Sequence, residues 1–211
     1  MEKKRIYNLV ILDASGSMSC IKRQAINGFN ETVQTIKAAQ AKFEEQDHRV
    51  SLVVFNSNEI NTIYDRISAG EVKELDDDNY IPDSCTPLYD AIGNATAYLR
   101  KNVKIDDKVL VTIITDGEEN SSSEYNGQAI KAVIDELKGK GWVFAYIGAN
   151  QDVESVAATI GINNTMAFQS DEQGTQEMFV RERSSRMNFC ARISEGESDE
   201  CLQNNFFDEN I

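Results

Sequence analysis

Residues 9–19 read LVILDASGSMS. A short apolar run, Leu9–Leu12, ends on Asp13, and Ser15 and Ser17 follow at a spacing of two around Gly16. A continuous apolar run of this length, bounded by turn residues, is the pattern of a strand buried on both faces. Leaving such a strand takes a glycine and one capping serine. It does not take a carboxylate followed by two regularly spaced hydroxyls.

Working outward, the same buried-strand pattern covers Ile6–Leu12, Val50–Phe55, Val109–Thr115, Trp142–Ile147 and a shorter Thr165–Gln169. Ile60–Ile67 follows the turn cluster Asn56-Ser57-Asn58 and is predicted to hairpin back as an antiparallel edge. Helical periodicity fills the intervals. Ile21, Ala25, Phe29, Thr32, Ile36, Ala39 and Phe43 mark one face of a long helix, and Leu88, Ile92, Ala95 and Leu99 mark a second after Pro87. Ile130–Leu137 is closed by Gly139 and Gly141, Val153–Ile160 by Gly161, and Gln176–Ile193 forms a fifth helix. Strands alternating with helices imply an α/β fold: a three-layer, doubly wound (Rossmann-like) sheet, mostly parallel, with one antiparallel edge strand. Such sheets bind ligands beyond the C-terminal ends of their strands. Asp13 and Asp116 each stand at such an end, so they are expected to face one crevice.

The chain has 211 residues, 41% of them hydrophobic, which suits one globular domain with a core. That domain is expected over residues 1–193, its last helix packed on it, with 194–211 (SEGESDECLQNNFFDENI) as an acidic, flexible tail. Phe206-Phe207 within it reads either as a docking peptide or as a segment that folds back. A net charge of −14 argues against nucleic acid as a partner and suits a cation or a basic surface, as well as solubility. No apolar run has the length of a membrane span. The opening MEKKRIYNLVILD is basic and then apolar, but it ends in Asp13 without a small-residue cleavage site. It reads as a first strand rather than a signal peptide, and a cytoplasmic location is expected. Cys20, Cys85, Cys190 and Cys201 match no zinc spacing and are expected as reduced thiols.

Three segments carry chemistry: Asp13-Ala14-Ser15-Gly16-Ser17, Ser84-Cys85-Thr86-Pro87-Leu88 and Thr115-Asp116-Gly117-Glu118-Glu119. The candidate ligands among them are two carboxylates, Asp13 and Asp116, and three hydroxyls, Ser15, Ser17 and Thr86. An all-oxygen set suits a hard divalent cation, with Mg2+ first; the set by itself does not separate Mg2+ from Mn2+ or Ca2+. It cannot fill an octahedron without water or an outside ligand. If only one carboxylate binds directly, the ion keeps positive charge and attracts an anionic oxygen from a partner's Asp or Glu. Each piece also has an ordinary structural reading. Ser17 or Ser19 would cap the long helix. Thr86 would cap the next helix with Pro87 at its first position. Asp116-Gly117 would be a turn pair.

DASGSM, CTPLYDAI and IITDGEEN, in this order and on these elements, resemble the von Willebrand factor type A domain family and its metal-ion-dependent adhesion site. The resemblance runs from about Arg5 to Phe168. It implies a six-stranded sheet with one antiparallel edge. It implies Mg2+ bound directly by Ser15 and Ser17, directly or through water by Asp13 and Asp116, and by Thr86 in the ligand-bound form. A partner's acidic residue would complete the coordination. Many members carry Gly where Cys85 stands here, and the region after Gln169 has no clear counterpart.

Other candidates carry less. His48 reads as a surface histidine, and Asp90 either holds the second segment or is solvated. Glu118 and Glu119 are expected to tune the field at the rim. Asp76–Asp78 reads as a solvated loop, and Arg181, Arg183, Arg186 and Arg192 as a basic stretch paired with the acidic surface. The leading expectation is a Mg2+-dependent, non-enzymatic adaptor or assembly module with a protein partner presenting Asp or Glu; the resemblance adds ring-forming ATPases as one such partner class, with no nucleic acid and no membrane. The alternative is a metal-dependent phosphoryl-transfer enzyme or hydrolase using Asp13. It lacks a second carboxylate two residues on and any Lys or Arg in the three segments. A third reading is a scaffold with a degenerate site.

Overall fold

The computed structural model describes residues 3–116, 118–149, 152–169 and 171–207. Six strands, β1 (Lys4–Asp13), β2 (Gln46–Phe55), β3 (Ile60–Ser68), β4 (Lys108–Thr115), β5 (Trp142–Ala149) and β6 (Asn164–Phe168), form one sheet in the order β3-β2-β1-β4-β5-β6. Every neighbouring pair is parallel except β2–β3, the expected hairpin edge. Six helices accompany it: α1 (Lys22–Lys42), α2 (Leu88–Leu99), α3 (Gly127–Lys138), α4 (Val153–Thr159), α5 (Glu172–Glu195) and α6 (Asp199–Gln203). Among the described residues no helix is long and apolar enough to cross a membrane. Four free thiols are present, with Cys190 buried.

Strand alternation assigns the two layers. Tyr7, Leu9 and Ile11 of β1 pack with Leu88 and Ile92 of α2 and Ile130 and Ile134 of α3. Val10 and Leu12 turn the other way, onto Phe29, Val33 and Ile36 of α1 and Phe179 of α5. Helices α1 and α5 approach closely because Gly28 has no side chain: a Cβ there would lie 1.7 Å from the Phe179 ring. Such packing fixes β1 and β4 at the centre of the sheet, and their C-terminal ends carry the candidate site.

The face under α5 holds a buried polar cluster where the sequence suggested surface groups. Arg186, only 1% exposed, donates from Nε to Glu182 Oε1 (2.7 Å), from Nη1 to Asn8 Oδ1 (2.9 Å) and from Nη2 to Thr112 Oγ1 (2.9 Å). His48, expected at the surface, is 0% exposed. Its Nε2 meets Gln46 Oε1 at 2.9 Å and its Nδ1 meets Asn8 Nδ2 at 3.3 Å. Arg192 is buried as well and donates to Cys201 O (2.6 Å) and Glu197 Oε2 (2.8 Å). The expectation that these arginines pair with an acidic surface therefore fails for Arg186, while buried Arg192 does pair with the partly exposed Glu197 of the acidic stretch. Their helix carries polar residues on its sheet-facing side, a feature periodicity in apolar residues does not register.

The stretch from Ser194, expected as a flexible tail, is packed as far as Phe207. Helix α5 ends at Gly196 in the left-handed conformation (φ 80°). Helix α6 follows, and Leu202 and Phe206 enter the core beside Phe189 and Ile193. The Phe206 and Phe189 rings meet edge-on at 5.9 Å, and the Phe206 N–H donates to Asn164 Oδ1 (3.1 Å). Two apolar side chains in an acidic segment, Leu202 and Phe206, suffice to hold it down. Residues 208–211 of that stretch lie outside the described residues.

Candidate metal centre

Strand β1 delivers Asp13, and β4 delivers Thr115 with Asp116 next, to adjacent places at the top of the sheet. Asp13 is 0% exposed. Its Oδ1 accepts from the Ser15 backbone N–H (2.7 Å) and its Oδ2 from Thr115 Oγ1 (2.6 Å). Its carbonyl accepts from the Tyr80 hydroxyl (2.6 Å). The Ser17 hydroxyl donates to Asp116 Oδ1 (2.7 Å) and lies 3.1 Å from the Ser15 hydroxyl. Asp13, Ser15, Ser17 and Asp116 therefore form one hydrogen-bonded chain across two strand ends.

Thr86 is brought alongside by its backbone. Gly16 N–H donates to Ser84 O (3.0 Å) and Asp83 N–H to Ala14 O (2.8 Å), stitching the second segment to the first. Thr86 N–H donates to Asn120 Oδ1 (2.8 Å), and Asn120 N–H returns to Thr86 O (3.1 Å), joining the second to the third. Ser84 holds a left-handed φ of 67° at this junction, a conformation sustained by the surrounding hydrogen bonds. The Thr86 side chain is 2% exposed, and its hydroxyl makes no hydrogen bond among the described residues.

The ordinary readings of the three hydroxyls do not hold. A short 3-10 helix over Gly16–Ile21 precedes α1, and neither it nor α1 has a side-chain cap. Helix α2 starts after Pro87 rather than at it, again without a side-chain cap from its own N-cap residue. Its N-terminus is served by Glu119, whose Oε2 accepts from Tyr89 N–H (2.9 Å), while Oε1 accepts from Ser121 and Ser122 N–H. Glu119 is thus a structural brace and not a group that tunes the rim. Asp90 is buried and accepts from Ser123, Glu124 and Tyr125 N–H at 2.8–2.9 Å, so it holds the third segment in place. In the Asp76–Asp78 loop, Asp76 Oδ1 caps the N–H groups of Asp78 and Asn79, as expected of a solvated turn. Gly117 lies outside the described residues.

Burial pushes the Asp13 carboxyl up from its usual value to about 6, against the lowering effect of its hydrogen bonds from Thr115 and Ser15, and the Asp116 charge pushes the same way. Burial also raises Asp116. No basic side chain is among the groups that set either value. Two acidic groups held at one place, three hydroxyls without capping duty and no local cation make a donor set that fits a hard divalent ion. Among the described residues no cluster of three or more His, Cys, Asp or Glu side chains could hold a metal, so hydroxyl oxygens would have to supply much of the coordination. Tyr80 lies outside the three segments, and Thr115 and Asn120, though within the quoted stretches, have no role assigned to their side chains by the sequence. Thr115 had a signal, a hydroxyl closing an apolar strand; Tyr80 and Asn120 lie in polar loops and had none.

The family model described as von Willebrand factor type A domain matches residues 9–182. No curated protein matches the chain. Similar solved structures include a von Willebrand factor type A protein from Catenulispora acidiphila, at 13% identity and TM-score 0.55 over 88% of this chain and 43% of that one. The PilB minor pilin from Streptococcus sanguinis aligns at 16% identity and TM-score 0.64, over 92% of this chain and 64% of that one. The pilus adhesin SpaC from Lactobacillus rhamnosus GG, in its open conformation, aligns at 12% and 0.65, over 89% and 30%. These likenesses are of fold, and the chain spans less than two thirds of each of these three proteins.

Proposed function

The chain belongs to the von Willebrand factor type A domain family, and on that premise we propose that it is a divalent-cation-dependent protein-binding module. Asp13, Ser15, Ser17, Thr86 and Asp116 would hold Mg2+, and a partner's Asp or Glu would complete the ion's coordination. The observation that carries this reading is the set of three hydroxyls at a two-carboxylate crevice, none of which caps a helix. The ion would supply positive charge where the chain itself places none. Asp13 and Tyr80 would fix the first segment, while Asn120 and Asp90 would keep Thr86 and the third segment in reach. The minor pilin and the pilus adhesin of the same fold are assembly and adhesion proteins by name, in keeping with recognition rather than turnover.

A phosphoryl-transfer or hydrolytic role for Asp13 fits less well. The position two residues on is Ser15 rather than a second carboxylate, and among the described residues no Lys or Arg hydrogen-bonds to Asp13 or Asp116 to steady a phosphate. The test is calorimetric titration of Mg2+ into the wild type, Asp13→Ala and Asp116→Ala, with circular dichroism as a folding control. Saturable binding in the wild type and its loss in both variants is the expected result. Equal binding in all three folded proteins would place the ion elsewhere and sink the proposal.

A further inference from the structure

The two ends of the molecule differ in charge. The loops around the candidate metal centre, 56–59, 76–87 and 118–126, carry Glu59, Asp76, Asp78, Asp83 and Glu118 at the surface and contain no lysine or arginine. Beside them Lys22, at the start of α1, pairs with Asp77 (3.1 Å) and exposed Arg23 follows it, so the rim as a whole keeps an excess of negative charge. The opposite end, where β1 and β2 begin and the 100–107 loop turns, gathers Lys3, Lys4, Arg5, Arg49, Lys101 and Lys104 among the carboxylates Glu44, Glu45, Asp47, Asp106 and Asp107, so it is close to neutral where the rim is acidic. Among the described residues Lys3, Lys4, Lys101 and Lys104 form no salt bridge; Arg5 and Arg49 share Asp47. Lys3, Lys4, Arg5 and Lys104 line a recess that Asp106 and Asp107 also face.

Two further observations fall on the same axis. Among the described residues the two most exposed large apolar side chains are Ile105 at 95%, in the more basic end, and Ile81 at 63%, in the acidic rim. Next to Ile105, Asp107 is spent on its own loop, where its Oδ2 accepts from Lys104 N–H (2.8 Å). Asp106 is exposed and makes no hydrogen bond or ion pair among the described residues. This end therefore presents a free carboxylate beside an exposed isoleucine, next to a recess in which lysines and arginines slightly outnumber carboxylates. The acidic rim presents its counterpart: an exposed isoleucine, surplus negative charge and a centre that needs an anionic oxygen.

We infer that the partner is a second copy of this chain, bound head to tail, with Asp106 of one copy supplying the carboxylate to the metal centre of the next and Ile105 meeting Ile81. This rests on the metal-binding reading above. The interface is heterologous, so repetition generates chains rather than closed two-fold dimers. The acidic rim meeting the more basic end favours this orientation against the general repulsion between two chains of charge −14.

Sedimentation velocity on the full chain, from about 1 to about 200 µM to cover a transient interface, tests the inference in Mg2+ and in EDTA. The weight-average mass of the wild type should rise with concentration in Mg2+ and stay monomeric in EDTA. Asp106→Asn should remain monomeric in both while binding Mg2+ calorimetrically like dilute wild type. Asp116→Ala should also be monomeric. A mixture of Asp106→Asn, which keeps the head, with Asp116→Ala, which keeps the tail, should form a heterodimer that grows no further. Wild type that binds Mg2+ yet stays monomeric, association unchanged in EDTA, or association unchanged in Asp106→Asn would each overturn the inference and leave the metal centre standing. Absence of Mg2+ binding by dilute wild type would instead remove the underlying reading, and this inference with it.

Discussion

His48 should make the domain lose stability on acidification, by an amount the surrounding hydrogen bonds fix. Arg186 Nη1 claims Asn8 Oδ1 (2.9 Å), so the Asn8 amide NH2 is the group facing His48 Nδ1. Gln46 Nε2 donates to Cys190 O (2.8 Å), so Gln46 Oε1 is the acceptor facing His48 Nε2. This network assigns one neutral tautomer, with the proton on Nε2. A second proton on Nδ1 would point at a donor and add charge beside the Arg186 guanidinium. Burial first, and Arg186 second, push the imidazole down from 6.5 to about 4. The folded-state value is the lower one, so the unfolded chain binds the proton first. Stability is full above pH 6.5 and falls as pH drops toward 4, by about 3 kcal/mol at 1.4 kcal/mol per pH unit. Asp13 works against this in metal-free protein. Its carboxyl is raised to about 6, so acidification through that value favours folding and masks the histidine in the wild-type curve. The assay is therefore a difference: urea unfolding of wild type and His48→Gln in EDTA at several pH values from 4 to 7.5. Any fixed cost of the substitution cancels, because only the change with pH is read. The wild type's advantage over the variant should shrink by about 3 kcal/mol across the window, which is about 1–2 M in relative urea midpoint. A change below about 1 kcal/mol would show that the cage does not hold the imidazole neutral.

Two other substitutions probe the same structure from different sides. Arg186→Met strands Glu182, itself 1% exposed, without its charge partner and should cost about 3–5 kcal/mol by urea unfolding; adding Glu182→Leu should recover most of that loss, and a double variant no better than the single would refute the pairing argument. Asp13→Asn should stabilise the metal-free protein at pH 7 by up to about 3 kcal/mol, because the raised carboxyl costs folding once ionised above pH 6; the gain should vanish by pH 4 and be absent relative to Mg2+-saturated wild type.

Much of this architecture was legible in the order of residues. Short apolar runs alternating with amphipathic helices imply a doubly wound sheet, and the Asn56-Ser57-Asn58 turn marked the antiparallel β2–β3 edge. Asp13 and Asp116 could be placed at one crevice because strand order and handedness in such sheets leave few alternatives. Ser15, Ser17 and Thr86 were legible as candidates through their spacing. What periodicity does not register is a polar residue that faces inward. Asn8, His48, Thr112, Glu182 and Arg186 are each unremarkable in a polar-rich sequence. They become a buried network only when β1, β2, β4 and α5 are stacked. The acidic composition of residues 194–207 likewise outweighed Leu202 and Phe206, whose partners Phe189 and Ile193 lie on α5.

Local sequence therefore determined which segments became strands and helices, because backbone preference and apolar period are properties of neighbouring residues. It also determined that the ends of β1 and β4 and the loop before α2 would carry two carboxylates and three hydroxyls as candidate ligands. Tertiary structure alone decided which of those hydroxyls would be left without a cap to make, and that Glu119 and Asp90 would be consumed as braces. It decided too that Arg186 would sit inside with a carboxylate beside it and that the acidic and basic loops would gather at opposite ends. Those outcomes depend on pairings across tens of residues, where burial sets the cost of a charge and only the assembled fold sets the burial.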